Sequence, residues 1–264
     1  MAEYEVVHVA IAPPATLEEE LIKKVAAIIA KNPYETRLRL AGKILKIIAS
    51  YDTMQMAEST ARSLRELGLV VIVCPDSELR KYSPRYKAHT IKFEEQAVLF
   101  WNRSGKERRM ESSEVFLIIS GRMQTYTETE VTTTVRKLNV TATLLTGGIP
   151  ITKKVKEKTT DKSYQTESFV RLYDRTSSEP IVEILQHDFN YSFLGSEMAS
   201  SSVTNFSTTV KKIRAIFPQA IFDDRLVEPF GANIPATMPQ DNIEMNCKLI
   251  YFYHRTMSDL GSSI

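Results

Sequence analysis

The first 75 residues carry two hydrophobic periods, one typical of strands and one typical of helices. Polar and apolar residues alternate over residues 3–12, which predicts a strand that ends at Pro13. Over residues 17–29, apolar residues recur at intervals of three and four, which predicts an amphipathic helix. Thr16 and Glu19 have the spacing of a capping box, so we expect this helix to begin at Thr16.

The pattern then predicts two strands, a helix and a third strand. Residues 34–40 and 43–51 are strand-like and are joined by a turn at Ala41-Gly42. A second helix is predicted after Asp52, its buried positions being Ala57, Ala61, Leu64 and Leu67, with Gly68 directly after it. Residues 69–74 form a short apolar run rich in β-branched side chains, which favours a central strand.

This βαββαβ order over residues 3–75 resembles a ferredoxin-like module. The resemblance implies a sheet with both helices on one face and the other face open. An open apolar face needs a cover, so it is a candidate surface for a protein partner. A second copy of the chain or the rest of the molecule could cover it equally well.

Strand patterns dominate the chain after residue 92. Predicted strands cover residues 97–101, 115–120, 123–135, 139–145, 169–174, 181–186 and 191–193. One amphipathic helix follows and is ended by Pro218, its apolar face being Val203, Phe206, Val210, Ile213 and Phe217. The remaining tail contains one further strand-like segment, residues 247–253.

These patterns predict an α+β protein with two domains. The predicted division is an α+β domain at 1–78, a linker at 79–92, an antiparallel β domain at 93–218 and a Pro-containing tail at 219–264. Residues 93–217 resemble a pleckstrin-homology-like (PH/GRAM) barrel in element order, with a basic loop at 103–109 and the terminal helix at 203–217. The resemblance implies a barrel closed by that helix. The long arm at 146–168 leaves a half-barrel or a sandwich open as alternatives.

Composition and charge restrict the classes of partner. The chain is 43% hydrophobic and 25% charged, which is typical of globular proteins. Its formal net charge of +2 gives no general attraction to nucleic acid or to an anionic membrane. No apolar run approaches the ~20 residues of a membrane span. The N-terminus has acidic residues where a secretory signal carries positive charge, so we expect a cytoplasmic protein.

The sequence lacks the common motifs of cofactor and nucleophile sites. With nine glycines, it contains neither a G-x-x-x-x-G-K-[ST] loop nor a G-x-G-x-x-G turn, and it has no G-x-S-x-G elbow. Cys74 and Cys247 belong to no CxxC pair or Cys/His cluster. We therefore predict no metal and no cofactor, and a non-catalytic protein that binds or regulates a protein partner or a small ligand, with a homodimer as one form.

The basic loop is the candidate anion site. In PH-like domains that bind phosphoinositides, the loop after the first strand holds the phosphates, and the resemblance places Arg103, Lys106, Arg108 and Arg109 in that loop. Guanidinium groups suit phosphate because they form two parallel hydrogen bonds. A phosphate or an anionic lipid headgroup is the ligand that this alternative implies. A solvated hairpin turn explains the same four residues without any ligand.

Two other sets of residues are candidate sites. An enzyme with an interdomain site would use His187, Asp188, Asp223 and Asp224, although adjacent residues of a strand point to opposite faces. In the predicted linker, basic residues alternate with Tyr82 and Tyr86, a composition that single-stranded nucleic-acid sites share. The balanced charge of the chain argues against nucleic-acid binding.

Overall fold

The computed structural model describes residues 5–138, 152–227 and 238–261. It has two compact units, a larger one formed by Met1–Met123 with Glu167–Ile264 and a smaller one formed by Gln124–Thr166. The described α-helices are α1 (Glu19–Ile28), α2 (Pro33–Leu40), α3 (Met54–Glu66), α4 (Asp76–Arg80), α5 (Ser202–Ile216) and α6 (Gln240–Gly261). The described strands are β1 (Val7–Ile11), β2 (Lys46–Tyr51), β3 (Val71–Pro75), β4 (Lys87–Ala88), β5 (Thr90–Phe93), β6 (Ala97–Trp101), β7 (Glu107–Glu111), β8 (Leu117–Leu138), β9 (Thr152–Tyr173), β10 (Val182–Leu185), β11 (Ile221–Leu226) and β12 (Met238–Pro239). The predicted α+β class is confirmed.

The N-terminal sheet is antiparallel and has three strands in the order β2-β1-β3. Alternate residues of β1, from Val7 to Ile11, are buried on the face that carries α1 and α3. They share one apolar core with Val25 of α1 and Ala61 of α3. Both helices were predicted from their periodicity, and both are present.

The predicted strand at 34–40 is wrong, because these residues form α2. The Asn32 side chain accepts a hydrogen bond from the N–H of Glu35 at 2.7 Å, and Pro33 occupies the first helical turn. Asn32-Pro33 is therefore the start of a helix. Thr36 and Leu40 are buried four residues apart, a helical spacing. The four-stranded ferredoxin-like arrangement is not confirmed.

The starts of α1 and α3 differ from the predicted caps. The N-cap of α1 is Glu18, without a side-chain hydrogen bond, so the helix begins after the predicted Thr16. At α3 the cap is Thr53, whose hydroxyl accepts the N–H of Met56 at 3.3 Å, and Asp52 lies one residue before it. Gly68 has a φ of +80°, the left-handed conformation expected of a residue that ends a helix.

Two further sheets and α5 form the second core. One sheet has the order β11-β8-β9-β10-β4, with β12 paired to β8, and the other has the order β5-β6-β7. Phe100 of β6, Val170 of β9 and Ile213 of α5 are fully buried in a common cluster. The helix at 203–217 is thus confirmed, although Val203 itself is exposed. The described residues contain no closed barrel, and a PH-like arrangement is not confirmed.

Two other predicted elements in this half have a different outcome. Residues 191–193, predicted as a strand, contribute to a 3₁₀-helix at Ser192–Glu197, because the Leu194 N–H closes a tight turn on the Tyr191 carbonyl at 2.9 Å. The predicted strand at 139–145 lies outside the described residues.

The predicted tail strand at 247–253 is also wrong, because it lies inside α6. Ile243, Cys247, Ile250 and Tyr251 are buried at helical spacing, but the apolar run around them hides that period. Although α6 has 22 residues, no described helix is both long and apolar enough to cross a membrane.

Helix α6 covers the face of the N-terminal sheet that lies opposite α1 and α3. Ala10 of β1 and Ile72 of β3 are buried in one cluster with Ile250 of α6 and Leu117 of β8. The face predicted as an open candidate surface for a partner is therefore covered by α6 of the same chain. The predicted domain boundaries stay a prediction.

A buried ionic network joins α6 to the large sheet. Arg171 of β9 donates from Nε to Glu183 Oε1 at 2.8 Å and from Nη2 to Glu244 Oε1 at 2.7 Å. Arg85 also contacts both carboxylates, at 3.2 Å from Nη1 to Glu183 Oε1. Two guanidinium groups thus face two carboxylates away from water, which is the condition under which buried charges are tolerated.

Candidate functional site

A cavity of about 550 Å³ lies beside β7 and the end of β9. Its wall combines apolar side chains with three arginines. The lining residues are Arg108, Arg109, Met110, Ser113, Glu114, Val115, Phe116, Asp174, Arg175, Thr176, Ile181 and Gln219. A concave apolar wall with a few converging polar groups is the usual form of a small-ligand site.

Arg108 is held in place from two sides. Its Nη1 donates to the Ile181 carbonyl at 2.6 Å, and its guanidinium lies 4.8 Å from the ring centre of Tyr86. The Tyr86 hydroxyl in turn lies 2.8 Å from the Phe100 carbonyl and 2.5 Å from the Lys106 carbonyl, and its single O–H donates to one of them. Burial raises the pKa of the Tyr86 hydroxyl, so it stays a donor. The stacked, half-buried guanidinium has further N–H groups for a ligand.

Arg175 approaches the same cavity from the turn after β9. Its guanidinium lies 4.5 Å from the ring centre of Phe116, and it forms no ion pair with any described residue. The turn is set by Asp174, whose Oδ1 accepts the N–H groups of Thr176 at 2.7 Å and Ser177 at 3.0 Å. Arg175 is exposed, and no carboxylate in the part of the chain that the structure describes forms a salt bridge with it.

Arg109 lines the cavity but has its own counterions. Its guanidinium pairs with Glu111 at 2.7 Å and also contacts Glu94. These two carboxylates raise the pKa of Arg109. The carboxylate of Glu114 accepts the N–H of Glu111 at 2.7 Å. The guanidiniums that remain for a ligand are therefore Arg108 and Arg175.

The other two predicted residues, Arg103 and Lys106, are not among those that line the cavity. Arg103 pairs with Asp188, donating from Nε at 2.7 Å, and Lys106 lies in the turn between β6 and β7. The four predicted residues thus do not converge on one point. Arg175 could not be predicted as a site residue, because it is 66 positions from Arg109 and belongs to no local motif. It lines the same cavity as Arg108 and Arg109 of β7.

The residues of the interdomain enzyme hypothesis have different partners. Asp188 pairs with Arg103, whereas Asp223 pairs with His254 at 2.7 Å and Arg225 at 2.9 Å. Asp224, the next residue of β11, is exposed. The known contacts of Asp188 and Asp223 therefore lie in separate clusters.

Three basic residues of the predicted linker are paired with carboxylates. Arg85 lies in the buried network, Arg80 pairs with Asp76 at 2.6 Å, and Lys81 lies 3.9 Å from Glu78. In residues 5–138, 152–227 and 238–261, no group of three or more His, Cys, Asp and Glu is arranged to hold a metal ion.

Comparison of the chain with protein-family models, with curated proteins and with solved structures gave no match.

Proposed function

We propose that this protein binds a small anionic ligand with an apolar part in the cavity beside β7. One observation carries the proposal: Arg108 and Arg175 both line this cavity, and each guanidinium is stacked on an aromatic ring. Phosphate and carboxylate groups match the guanidinium fork, and Met110, Val115 and Ile181 supply apolar contact. The volume of about 550 Å³ suits a compact ligand.

The proposal keeps the expectation of a cytoplasmic binding protein but moves the binding surface. It uses the cavity rather than the sheet face of β1–β3, because α6 covers that face. It also keeps the expectation that the basic segment 103–109 contributes to an anion site. Of its four basic residues the proposal uses Arg108, together with Arg175 from the turn after β9.

Calorimetric titration with phenyl phosphate tests the proposal. Its ring matches the apolar wall and its dianion matches the two guanidiniums. We expect saturable binding with a Kd below about 1 mM, and no binding of the neutral benzyl alcohol. Arg108→Ala and Arg175→Ala should each weaken binding about tenfold or more, since a charged hydrogen bond contributes about 1.5–3 kcal/mol. Arg103→Ala is the matched control, because it removes an exposed arginine outside the cavity.

Two outcomes would contradict the proposal: no binding at all, or binding that the Arg103 variant weakens as much as the other two. A second arm separates a free ligand from a lipid headgroup. If the ligand is a lipid headgroup, the protein should co-sediment with vesicles that contain phosphatidylinositol phosphates, and Arg108→Glu with Arg175→Glu should abolish this co-sedimentation. A free ligand predicts no co-sedimentation.

A further inference from the structure

Three polar side chains meet on the N-terminal sheet, far from each other in sequence. His8 of β1 lies opposite Ser50 of β2, and Asp76 follows β3 directly. His8 Nδ1 is 2.8 Å from Ser50 Oγ, and His8 Nε2 is 2.8 Å from Asp76 Oδ1. The arrangement has the order nucleophile, base and carboxylate that activates serine in hydrolases.

The hydrogen bonds assign the proton on the imidazole. Asp76 is a carboxylate, because its hydrogen bond with His8 and its contacts with Arg80 lower its pKa. A carboxylate only accepts hydrogen bonds, so in the neutral form of His8 the proton lies on Nε2 and Nδ1 has a free lone pair. That lone pair faces the Ser50 hydroxyl. Serine hydrolases commonly use the two ring nitrogens the other way round, but either nitrogen can take a proton from serine.

The strand register places a backbone donor next to Ser50. The Asp76 N–H donates to the Val6 carbonyl at 2.8 Å, so His8, two residues on, directs its own backbone groups towards β3. His8 and Ser50 are then a non-hydrogen-bonded pair, in which opposite side chains are closest. The N–H of Ser50 points away from β1, towards the free edge of the sheet, because β2 is its outer strand.

The side chains of Ser50 and His8 differ in their exposure to solvent. Ser50 is exposed, whereas the His8 side chain is only 14% exposed. Ser50 also lines a cavity of about 340 Å³ along β2, together with Ile47, Lys31 and Arg39. A substrate can therefore reach the hydroxyl from solvent while the base is shielded.

We propose that Ser50 is a nucleophile that accepts an acyl group from small carboxylic esters. This activity goes beyond the proposed ligand binding and uses a separate site. Ser50 Oγ forms a bond to the carbonyl carbon and its proton passes to Nδ1 of His8. The bond from that carbon to the alcohol oxygen breaks, and the alcohol leaves with this proton. Water then attacks the acyl-Ser50, gives one proton to His8, and releases the carboxylic acid as the serine regains a proton.

Each member of the cluster has one role in these steps. Ser50 and His8 are the catalytic residues, because they touch the reacting atoms. The N–H of Ser50 stabilises the negative carbonyl oxygen, as oxyanion donors do. Asp76 is a positioning residue that fixes the tautomer and orientation of His8.

Labelling of the full-length protein with an alkyl fluorophosphonate probe tests the proposal. We expect a single adduct, located on Ser50 by peptide mass spectrometry. Ser50→Ala should abolish it, and His8→Gln should slow it about 100-fold or more, the typical contribution of a general base. Ser59→Ala is the matched control, since Ser59 is an exposed serine on α3 and its loss should leave the labelling rate unchanged.

Asp76 needs a test that separates positioning from structure. Asp76→Asn should slow labelling about tenfold or more, and Asp76→Glu should restore part of the rate because it keeps the carboxylate. Circular dichroism establishes that each variant is folded. If His8→Gln does not fold, the labelling rates of Asp76→Asn and Asp76→Glu test the proposal in its place. Absence of an adduct on Ser50, or a rate that neither His8→Gln nor Asp76→Asn changes, would overturn the proposal.

Discussion

Asp223 on β11 is a buried carboxylate that keeps its charge because two other groups compensate for its burial. Burial by itself raises its pKa, but the hydrogen bond with His254, at 2.7 Å, and the charge of Arg225 outweigh that effect, so its pKa is lowered. A carboxyl group with a lowered folded pKa stabilises the fold above its unfolded pKa of about 3.9. That stabilisation is lost as the pH falls through the folded pKa.

Replacing Asp223 by Asn should therefore have a pH-dependent cost. At pH 7 we expect the free energy of unfolding to fall by about 2 kcal/mol, the range of hydrogen bonds to charged groups. The difference between the variant and the wild type should shrink below about pH 4, as Asp223 becomes protonated in the wild type. Urea unfolding across this range measures it. Asp224→Asn, at the exposed neighbour, is the control, and an equal effect of both variants would contradict the assignment.

The two cysteines are buried thiols with weak nucleophilicity. Burial raises the pKa of Cys74 to about 12, and burial also raises the pKa of Cys247 despite the nearby Arg171. The thiolate is the reactive form, so neither should react with Ellman's reagent in the native protein at pH 8. Two thiols per chain should react in guanidinium chloride. Rapid reaction of the native protein would show that one of these sites opens.

At the scale of elements, α1, α3 and α5 could be predicted from the sequence because each has one apolar face. The two α-helices with segments predicted as strands, α2 and α6, lack that feature. In α2 the residues Tyr34, Thr36, Leu38 and Leu40 alternate as in a strand, but only Thr36 and Leu40 are buried. In α6 the run around Tyr251 is apolar on most sides, and period alone does not distinguish a buried helix from a strand.

The buried network that ties α6 to β9 and β10 carries a stability prediction. Glu183→Gln leaves Arg171 and Arg85 short of one counter-charge, and breaking a buried pair costs about 3–5 kcal/mol. We expect a loss of that size in urea unfolding. The control is Glu197→Gln, which removes an exposed pair with Lys212 and should cost less than about 1 kcal/mol. Similar losses in both variants would mean that the network does not anchor α6.

At the scale of the whole molecule, the sequence predicted the α+β class but not which segments pack together. Ala10 near the N-terminus and Ile250 near the C-terminus share one core cluster, and no local pattern indicates that contact. The functional residues, too, could be predicted only in part from the sequence. Arg108 could be found from its basic segment, whereas Arg175, Ser50 and His8 become functional candidates only through contacts across strands. Such contacts depend on register, which single-sequence periodicity does not determine.

The central claim is that an anion binds between Arg108 and Arg175, and NMR titration tests it most directly. Phenyl phosphate added to ¹⁵N-labelled protein should shift the backbone amides of the cavity wall, led by Met110, Phe116 and Thr176. The shifts should saturate with one affinity and vanish in the Arg175→Ala variant. Shifts that stay linear in ligand concentration, or that centre on residues outside the cavity, would contradict the claim.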